Sequence, residues 1–167
     1  MVEISKKISY YLPGIISCIF FVILLFTVLH ITSIPKTPAT AEQVWDVMVS
    51  KGHEPEDVTE KYTEISSILM KCIRFQEDDV HFEFFVLNNQ ESAIKVWREL
   101  YYLSQEKMGW PRSEHDTVMA NYHIYTLTET EKFFAVIRVG NTAVYAHCDK
   151  ENISKISEIL KDIEYFS

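Results

Sequence analysis

Three histidines and one glutamate are the residues of this sequence whose types and spacing come nearest to a chemical site. His81, His123 and His147 each lie in a run that predicts a β-strand. Strand alternation places His81 and Glu83 on one face, because side chains two residues apart point the same way. If the other two histidines share that face, three imidazoles and a carboxylate form a ligand set that zinc accepts. Scattered surface histidines are the alternative, and we favour it because no pair has the local spacing of a metal motif.

Two cysteines in predicted strands, Cys72 and Cys148, form a candidate disulfide. A bridge between them would close a long loop and stabilise the fold by roughly 4 kcal/mol in the loop-entropy model. It requires the two Cα atoms to lie within about 7 Å, a distance that the sequence does not specify. Two buried free thiols are the alternative that we favour.

The sequence contains no catalytic signature that these residues complete. It has no G-x-S-x-G nucleophile motif and no glycine-rich phosphate loop. The stretch SEHD at 113–116 combines a serine, a histidine and two acids, but neighbours in a chain point in different directions, so we interpret it as a solvated loop. We therefore expect a protein that is not an enzyme and binds no cofactor.

The charge of the chain argues against a nucleic-acid partner. The formal net charge is -8. Because residues 1–35 hold two lysines and one glutamate, the remainder carries 14 basic and 23 acidic side chains, a charge of -9. Phosphate backbones repel a domain of this sign. The 13% aromatic content indicates a packed globule rather than a disordered tail.

A long stretch near the start of the chain has the properties of a membrane span. From Ile8 to Pro35 no Asp, Glu, Lys or Arg occurs, which is 28 residues, whereas about 20 suffice to cross the hydrocarbon layer. Lys6 and Lys7 precede it, and this positive-inside bias predicts a cytoplasmic N-terminus. We therefore predict a cytoplasmic segment 1–9, a transmembrane signal anchor 10–34 in the cell membrane, and an extracytoplasmic remainder.

The alternative for this stretch is a cleaved leader. Ile15-Ile16-Ser17-Cys18 resembles a lipobox, in which the cysteine is lipidated and the preceding residues are removed. The apolar run continues well beyond Cys18, where a lipoprotein has a polar tether. The A-x-A-like site at 39–41 lies far beyond the apolar core, so we predict an uncleaved anchor.

The remainder of the chain reads as a tether, 35–40, followed by a domain, 41–167. Thr40 and Gln43 have the spacing of a capping box at a helix start. The other predicted elements are strands 68–75 and 80–87, a helix over 90–107, strands 122–127, 133–139 and 142–148, and a last helix capped by Asp149. The order α-β-β-α-β-β-β-α predicts an α+β domain of two layers, an antiparallel sheet of about five strands with three helices on one face.

Four stretches of this domain carry a resemblance to a known group. They are EPEDVTEKY at 54–62, DDVHFEFFVLNNQESAIKVW at 78–97, YHIYTL at 122–127 and FFAVIRVGNTAVYAHCD at 133–149. Their order resembles small membrane-anchored extracytoplasmic α+β domain proteins of unknown function from Gram-positive bacteria. The resemblance implies a location and a fold, and it implies no activity.

The aromatic residues suggest how such a domain would work. On a sheet with one open face, Phe85 and Tyr125 would be exposed together and form a patch for a protein or peptide. Partial burial under the loop at 105–120 is the alternative that we favour for these side chains. Our leading interpretation is a single-pass membrane protein whose outer domain binds a protein or peptide. The other interpretations are a metal-dependent enzyme that uses the histidine-bearing face and a structural accessory subunit of a membrane complex.

Overall fold

The computed structural model describes two units of the chain, which are considered separately. The units are Met1–Ile34 and Pro35–Ser167, and the described residues within them are 16–24, 35–107, 109 and 112–166. Among these residues, no helix is both long and apolar enough to cross a membrane.

The first unit has one described element. Residues 16–24 form a helix, α1, with exposed side chains. The other residues of the predicted anchor 10–34, and the whole of the predicted cytoplasmic segment 1–9, lie outside the described residues.

The second unit confirms the α+β class and most of the predicted order. Its regular elements are α2 (Ala41–Ser50), β1 (Glu56–Asp57), 3₁₀ turns at Thr59–Lys61 and Thr63–Ile65, β2 (Leu69–Glu77), β3 (Val80–Leu87), α3 (Gln90–Glu106), β4 (Ser113–Val118), β5 (Tyr122–Thr128), β6 (Lys132–Val139), β7 (Thr142–Asp149), a 3₁₀ turn at Lys150–Asn152, and α4 (Ile153–Asp162). The predicted capping box at the start of α2 is present, since the side chains of Thr40 and Gln43 each bond the other's backbone N–H.

The sheet has seven antiparallel strands rather than about five, in the order β1-β2-β3-β7-β6-β5-β4. The two additional strands, β1 and β4, are its edges. β1 has only two residues, and β4 has the polar sequence SEHDTV, so neither shows the apolar alternation by which a half-buried strand is recognised. The strands β3, β7 and β6 occupy the centre.

Helices cover both faces of the sheet, so the prediction of two layers is wrong. α2 and α4 pack on one face, here called the α2–α4 face. α3 packs on the other, the α3 face, beside the 3₁₀ turns that follow β1. The physical reason lies in β6, where all seven residues from Phe133 to Val139 are buried. Since successive side chains alternate between faces, such a strand needs cover on both sides.

Each face has its own apolar core. Alternation along β3 divides the two, since Phe82 and Phe84 belong to the core under α2 and α4, while Phe85 and Leu87 belong to the core under α3. Side chains on both faces of β3 are therefore buried, apart from His81 and Val86, which are half-buried.

The predicted surface patch of Phe85 and Tyr125 is wrong. Each residue is 1% exposed. The ring of Tyr62 packs edge-on against Phe85 with centroids 5.3 Å apart, and Tyr101 of α3 packs against Tyr125 at 4.8 Å. Gln105 of the same helix also donates a hydrogen bond to the Tyr125 hydroxyl. Helix α3, rather than a loop, covers this part of the sheet.

Residues 35–40, predicted to be a tether, pack against the domain. The backbone N–H of Ala39 donates to the buried Tyr165 hydroxyl at 3.0 Å. The backbone N–H of Lys36 donates to the side-chain oxygen of Asn121 at 3.2 Å, and the side-chain amide of Asn121 donates to the backbone carbonyl of Lys36 at 2.6 Å. The chain is thus fixed to the domain from Lys36 onward.

Truncation of Phe85 tests the burial of the α3 face. We expect Phe85→Ala to lower the free energy of unfolding by about 3–5 kcal/mol, because it removes a large buried ring and leaves a cavity. Met70→Ala on β2 is the control, since Met70 is 65% exposed and its loss should cost less than about 0.5 kcal/mol. Urea titration of both variants measures the difference, and equal costs would contradict the assignment.

Candidate functional site

The structure brings two of the three predicted histidines together. His81 on β3 and His147 on β7 are directly paired across the two strands. Their rings stack with centroids 4.9 Å apart and an interplanar angle of 14°. Alternation predicted that His81 and Glu83 share a face, and the pairing with His81 places His147 on the same α3 face.

Glu83 is a buried carboxylate at the centre of a polar network. It is 5% exposed. The Tyr62 hydroxyl donates to its Oε1 at 2.5 Å, and the His81 Nε2 lies 3.4 Å from its Oε2. Burial alone would raise the pKa of Glu83, but the hydrogen bonds from His81 and Tyr62 outweigh it, so the pKa of this carboxyl lies below its ordinary value. Arg74, 3.8 Å away, adds to the same effect.

His147 is neutral near pH 7. Burial is the main cause that lowers the pKa of His147 to about 4. Positive charge on His81, Lys107 and Lys132 acts in the same direction. Burial also raises the pKa of the adjacent Tyr145 to about 12, so its hydroxyl keeps its proton.

A small pocket of about 170 Å³ adjoins the histidine pair. Its lining includes Gln76, Asp78, Lys132 and Phe134 in addition to the two imidazoles. Glu83 does not line the pocket, and both of its oxygens already have partners. The network therefore joins the 3₁₀ turns, β2 and β3, and its evident role is to hold Tyr62 on the α3 face.

His123 is not part of this cluster. It lies on β5, stacked on Trp97 of α3 with centroids 3.8 Å apart, and its Nε2 is 2.6 Å from Asp116 of β4. From the register, two strand spacings and four residues separate it from His147, roughly 16 Å. Within the described residues, no group of three or more His, Cys, Asp or Glu side chains is arranged to hold a metal ion. The histidines therefore do not assemble the zinc site.

The two cysteines cannot be bridged. Cys72 belongs to the core of the α3 face and Cys148 to the core of the α2–α4 face. From the register, two strand spacings and five residues separate them, roughly 19 Å, and their side chains are directed to opposite sides of the sheet. Both thiols are free and buried. Burial raises the pKa of both, that of Cys148 to about 12.

The edge strand β4 forms a second candidate site, on the outside of the sheet. Five of its six residues are exposed and Thr117 is half-buried. It pairs with β5 on one side, and the described part of the chain places no strand on its other side. The sequence interpretation of 113–116 as a loop missed this strand. The signal that could have revealed it is the short Met-Ala-Asn turn directly before β5.

A groove of about 400 Å³ runs beside β4 on the α2–α4 face. Side chains of β5 form its floor. Side chains of β4 and of α4 line its two sides. Its lining is Lys36, His115, Thr117, Tyr122, Ile124, Thr126, Phe133, Ile153, Ser157 and Phe166. The Lys36 ammonium lies 5.5 Å from the Tyr122 ring centroid. The site thus combines an open strand edge with a partly apolar channel parallel to it.

Comparison with known proteins adds little to this geometry. No protein-family model matches the sequence, and a search of curated proteins finds no match. Among solved structures, a GTP binding regulator from Thermotoga maritima is similar, with 13% identity and a TM-score of 0.47. The similarity covers 79% of this chain and 94% of that one. A likeness at this level carries no argument about function.

The depressed pKa of His147 predicts a pH dependence of stability. Its ordinary pKa is 6.5 and its folded value about 4, so the unfolded chain binds the proton first as the pH falls. We expect the free energy of unfolding to decrease by roughly 2 kcal/mol between pH 7 and pH 5. Carboxylates with lowered pKa values contribute mainly below this window, because their ordinary values are 4.5 or less.

His147→Gln should flatten the dependence between pH 7 and pH 5, as measured by urea titration at each pH. His115→Gln is the control, because His115 is exposed on β4 and should leave the slope unchanged. A His147→Gln variant that keeps the full slope would contradict the assignment.

Proposed function

We propose that this chain is a single-pass membrane protein whose extracytoplasmic α+β domain binds an extended segment of a partner protein. The N-terminus would be cytoplasmic and the domain would lie outside the cell membrane. Binding, rather than catalysis, is its proposed role. The resemblance to anchored α+β domain proteins from Gram-positive bacteria agrees with this location and fold.

The sequence supports the membrane anchor. The charge-free stretch 8–35 has 28 residues, more than a span needs. Lys6 and Lys7 lie on its N-terminal side, whereas the residues after Lys36 soon become acidic. This asymmetry favours a cytoplasmic N-terminus.

The observation that carries the binding proposal is the open edge of β4. Met119 donates its backbone N–H to the carbonyl of Tyr122. Because hydrogen-bonded pairs alternate along an antiparallel ladder, the odd-numbered residues of β4 bond to β5. The backbone groups of Glu114, Asp116 and Val118 therefore point outward. A peptide in extended conformation can pair with these groups as an eighth strand.

The two faces beside β4 indicate which peptide would fit. Its side chains on the α2–α4 face would enter the groove that Tyr122 and Ile124 help to line. Those on the α3 face would meet the carboxylates of Glu114 and Asp116, which Arg112 and His123 contact from one side at 2.7 and 2.6 Å. Alternating apolar and basic residues satisfy both faces.

A second copy of this chain is a poorer occupant of the same edge in the two registers that are centred on the middle of β4. When β4 strands of two copies pair in antiparallel fashion, residues that lie opposite each other point to the same side of the sheet. The α3 face of one copy then continues the α3 face of the other. If His115 lies opposite His115 of the other copy, Glu114 lies opposite Asp116 of that copy. If Asp116 lies opposite Asp116 of the other copy, the two carboxylates face each other directly. Like charges directly opposite each other destabilise a strand pair, and charged edges are a common protection against self-association.

The arrangement of the buried network favours binding over catalysis. The oxygens of Glu83 are engaged with Tyr62 and His81, and the carboxyl does not line the adjacent pocket. A general base needs access to the proton that it removes. The edge of β4, in contrast, leaves backbone donors and acceptors open to a partner.

Removal of one outward N–H group tests the site. Full-length protein in detergent is panned against a phage-displayed library of short linear peptides. We expect enrichment of peptides in which apolar and basic residues alternate. Asp116→Pro should weaken their binding at least tenfold, because proline has no N–H at a position that faces the partner.

Asp116→Ala is the matched control. It also loses the carboxylate and its contact with His123, but it keeps the backbone N–H, so peptide binding should fall only a few-fold. Equal binding by the proline and alanine variants would overturn the edge assignment. No enrichment of peptides by the unmodified protein would overturn the binding proposal.

A further inference from the structure

The two ends of the domain differ in charge, and the chain enters at the neutral end. Three turns lie at the end where residues 35–40 are fixed. They connect β3 to α3, β4 to β5, and β6 to β7, and they consist of Asn88–Asn89, Met119–Asn121 and Gly140–Asn141. None of these seven residues carries an ionised side chain.

Hydrogen bonds hold these turns together as one surface. Gly140 donates its backbone N–H to the carbonyl of Asn121 at 2.7 Å. The Asn141 side chain donates to the carbonyl of Leu87, which directly precedes the first turn, at 2.9 Å. Asn121 is also the residue that holds Lys36. The entering chain and the three turns therefore form a single end of the domain. It is here called the neutral end after its uncharged turns, and the charged residues Lys36 and Glu164 lie beside them, where the Lys36 ammonium donates to the carbonyl of Glu164 at 2.8 Å.

The opposite end is acidic. Its turns contain Asp78–Asp79, Glu129–Glu131 and Asp149–Glu151, and these spans hold six carboxylates against one lysine. They too are joined, since Lys150 donates its backbone N–H to the carbonyl of Glu131 at 2.7 Å. Asp79 accepts from the backbone N–H of Asp149 at 3.0 Å. A surface with this charge is repelled by the anionic lipids of a membrane.

The neutral end also carries an exposed apolar tip. Val118 is 63% exposed, Ala120 is exposed, and Met119 between them is half-buried. Apolar side chains of this kind gain free energy when they enter the boundary between headgroups and acyl chains.

Chain connectivity limits how far this tip can lie from the bilayer. Ile34 is the last residue of the predicted anchor, and Lys36 is already hydrogen-bonded to Asn121. Two Cα steps span at most about 7–8 Å. If the span ends near Ile34, Asn121 and its turn lie within reach of the lipid surface.

We propose that the neutral end of the domain rests on the lipid surface, with Val118, Met119 and Ala120 in the headgroup layer. The proposal rests on the membrane anchor of the proposed function. It orients the sheet with its strands rising from the membrane, the acidic end outermost, and the groove beside β4 open to the side.

Two exposed turn residues at opposite ends of β5 provide a matched test. Ala120 precedes the strand at the neutral end, and Thr130 follows it at the acidic end. Full-length Ala120→Cys and Thr130→Cys, each with Cys18→Ser, are labelled with a small fluorophore. Cys72 and Cys148 are buried, and the unsubstituted Cys18→Ser protein measures any labelling of these two. The proteins are reconstituted in vesicles of phosphatidylcholine and phosphatidylglycerol at 3:1.

Quenching then reports the environment of each label. We expect a headgroup-attached quencher to act several-fold more strongly on the label at position 120 than on that at position 130, and aqueous iodide to show the reverse order. Equal iodide access at both positions would overturn the proposal.

A carbonate wash distinguishes the two proposals. Loss of the full-length protein from the vesicles would overturn the anchor and this inference together, whereas retention with equal iodide access would overturn only the inference.

Discussion

Burial of the central strands on both faces is the constraint on which the rest of this structure depends. β6 is buried from Phe133 to Val139, and β7 from Thr142 to Ala146. Backbone groups at that depth must pair within the sheet, and the alternating side chains need apolar cover above and below. α3 therefore packs on one face, with α2 and α4 on the other. The buried Glu83 network is tolerated there because Tyr62 and His81 satisfy the carboxylate.

The same constraint leaves the open surfaces of the sheet at its periphery. Three helices cover the centre of the sheet, and among the described residues the edge of β4 and the groove next to it remain open. Along the strand direction, the charge differs between the two ends of the domain. The neutral end is where the chain enters, and the opposite end is acidic.

The sequence predicted the central elements well because their patterns are local. The capping box of Thr40 and the five long strands follow from spacing and β-propensity alone. The second covered face was missed, although FFAVIRV at 133–139 is a near-continuous apolar run, which is typical of a strand buried on both sides. The proximity of His81 to His147, and the distance of both from His123, depend on strand order. That order comes from long-range pairing, which a single sequence does not specify.

Amide hydrogen exchange of the full-length protein tests both the doubly covered sheet and the open edge of β4. We expect the amides of β3, β6 and β7 to exchange only through global unfolding, because both faces of these strands are covered. The outward amides of Glu114, Asp116 and Val118 in β4 should exchange orders of magnitude faster, since no strand in the described part of the chain pairs with them. Protection of these three amides equal to that of β7 would contradict an open edge, and rapid exchange in β6 would contradict the doubly covered sheet.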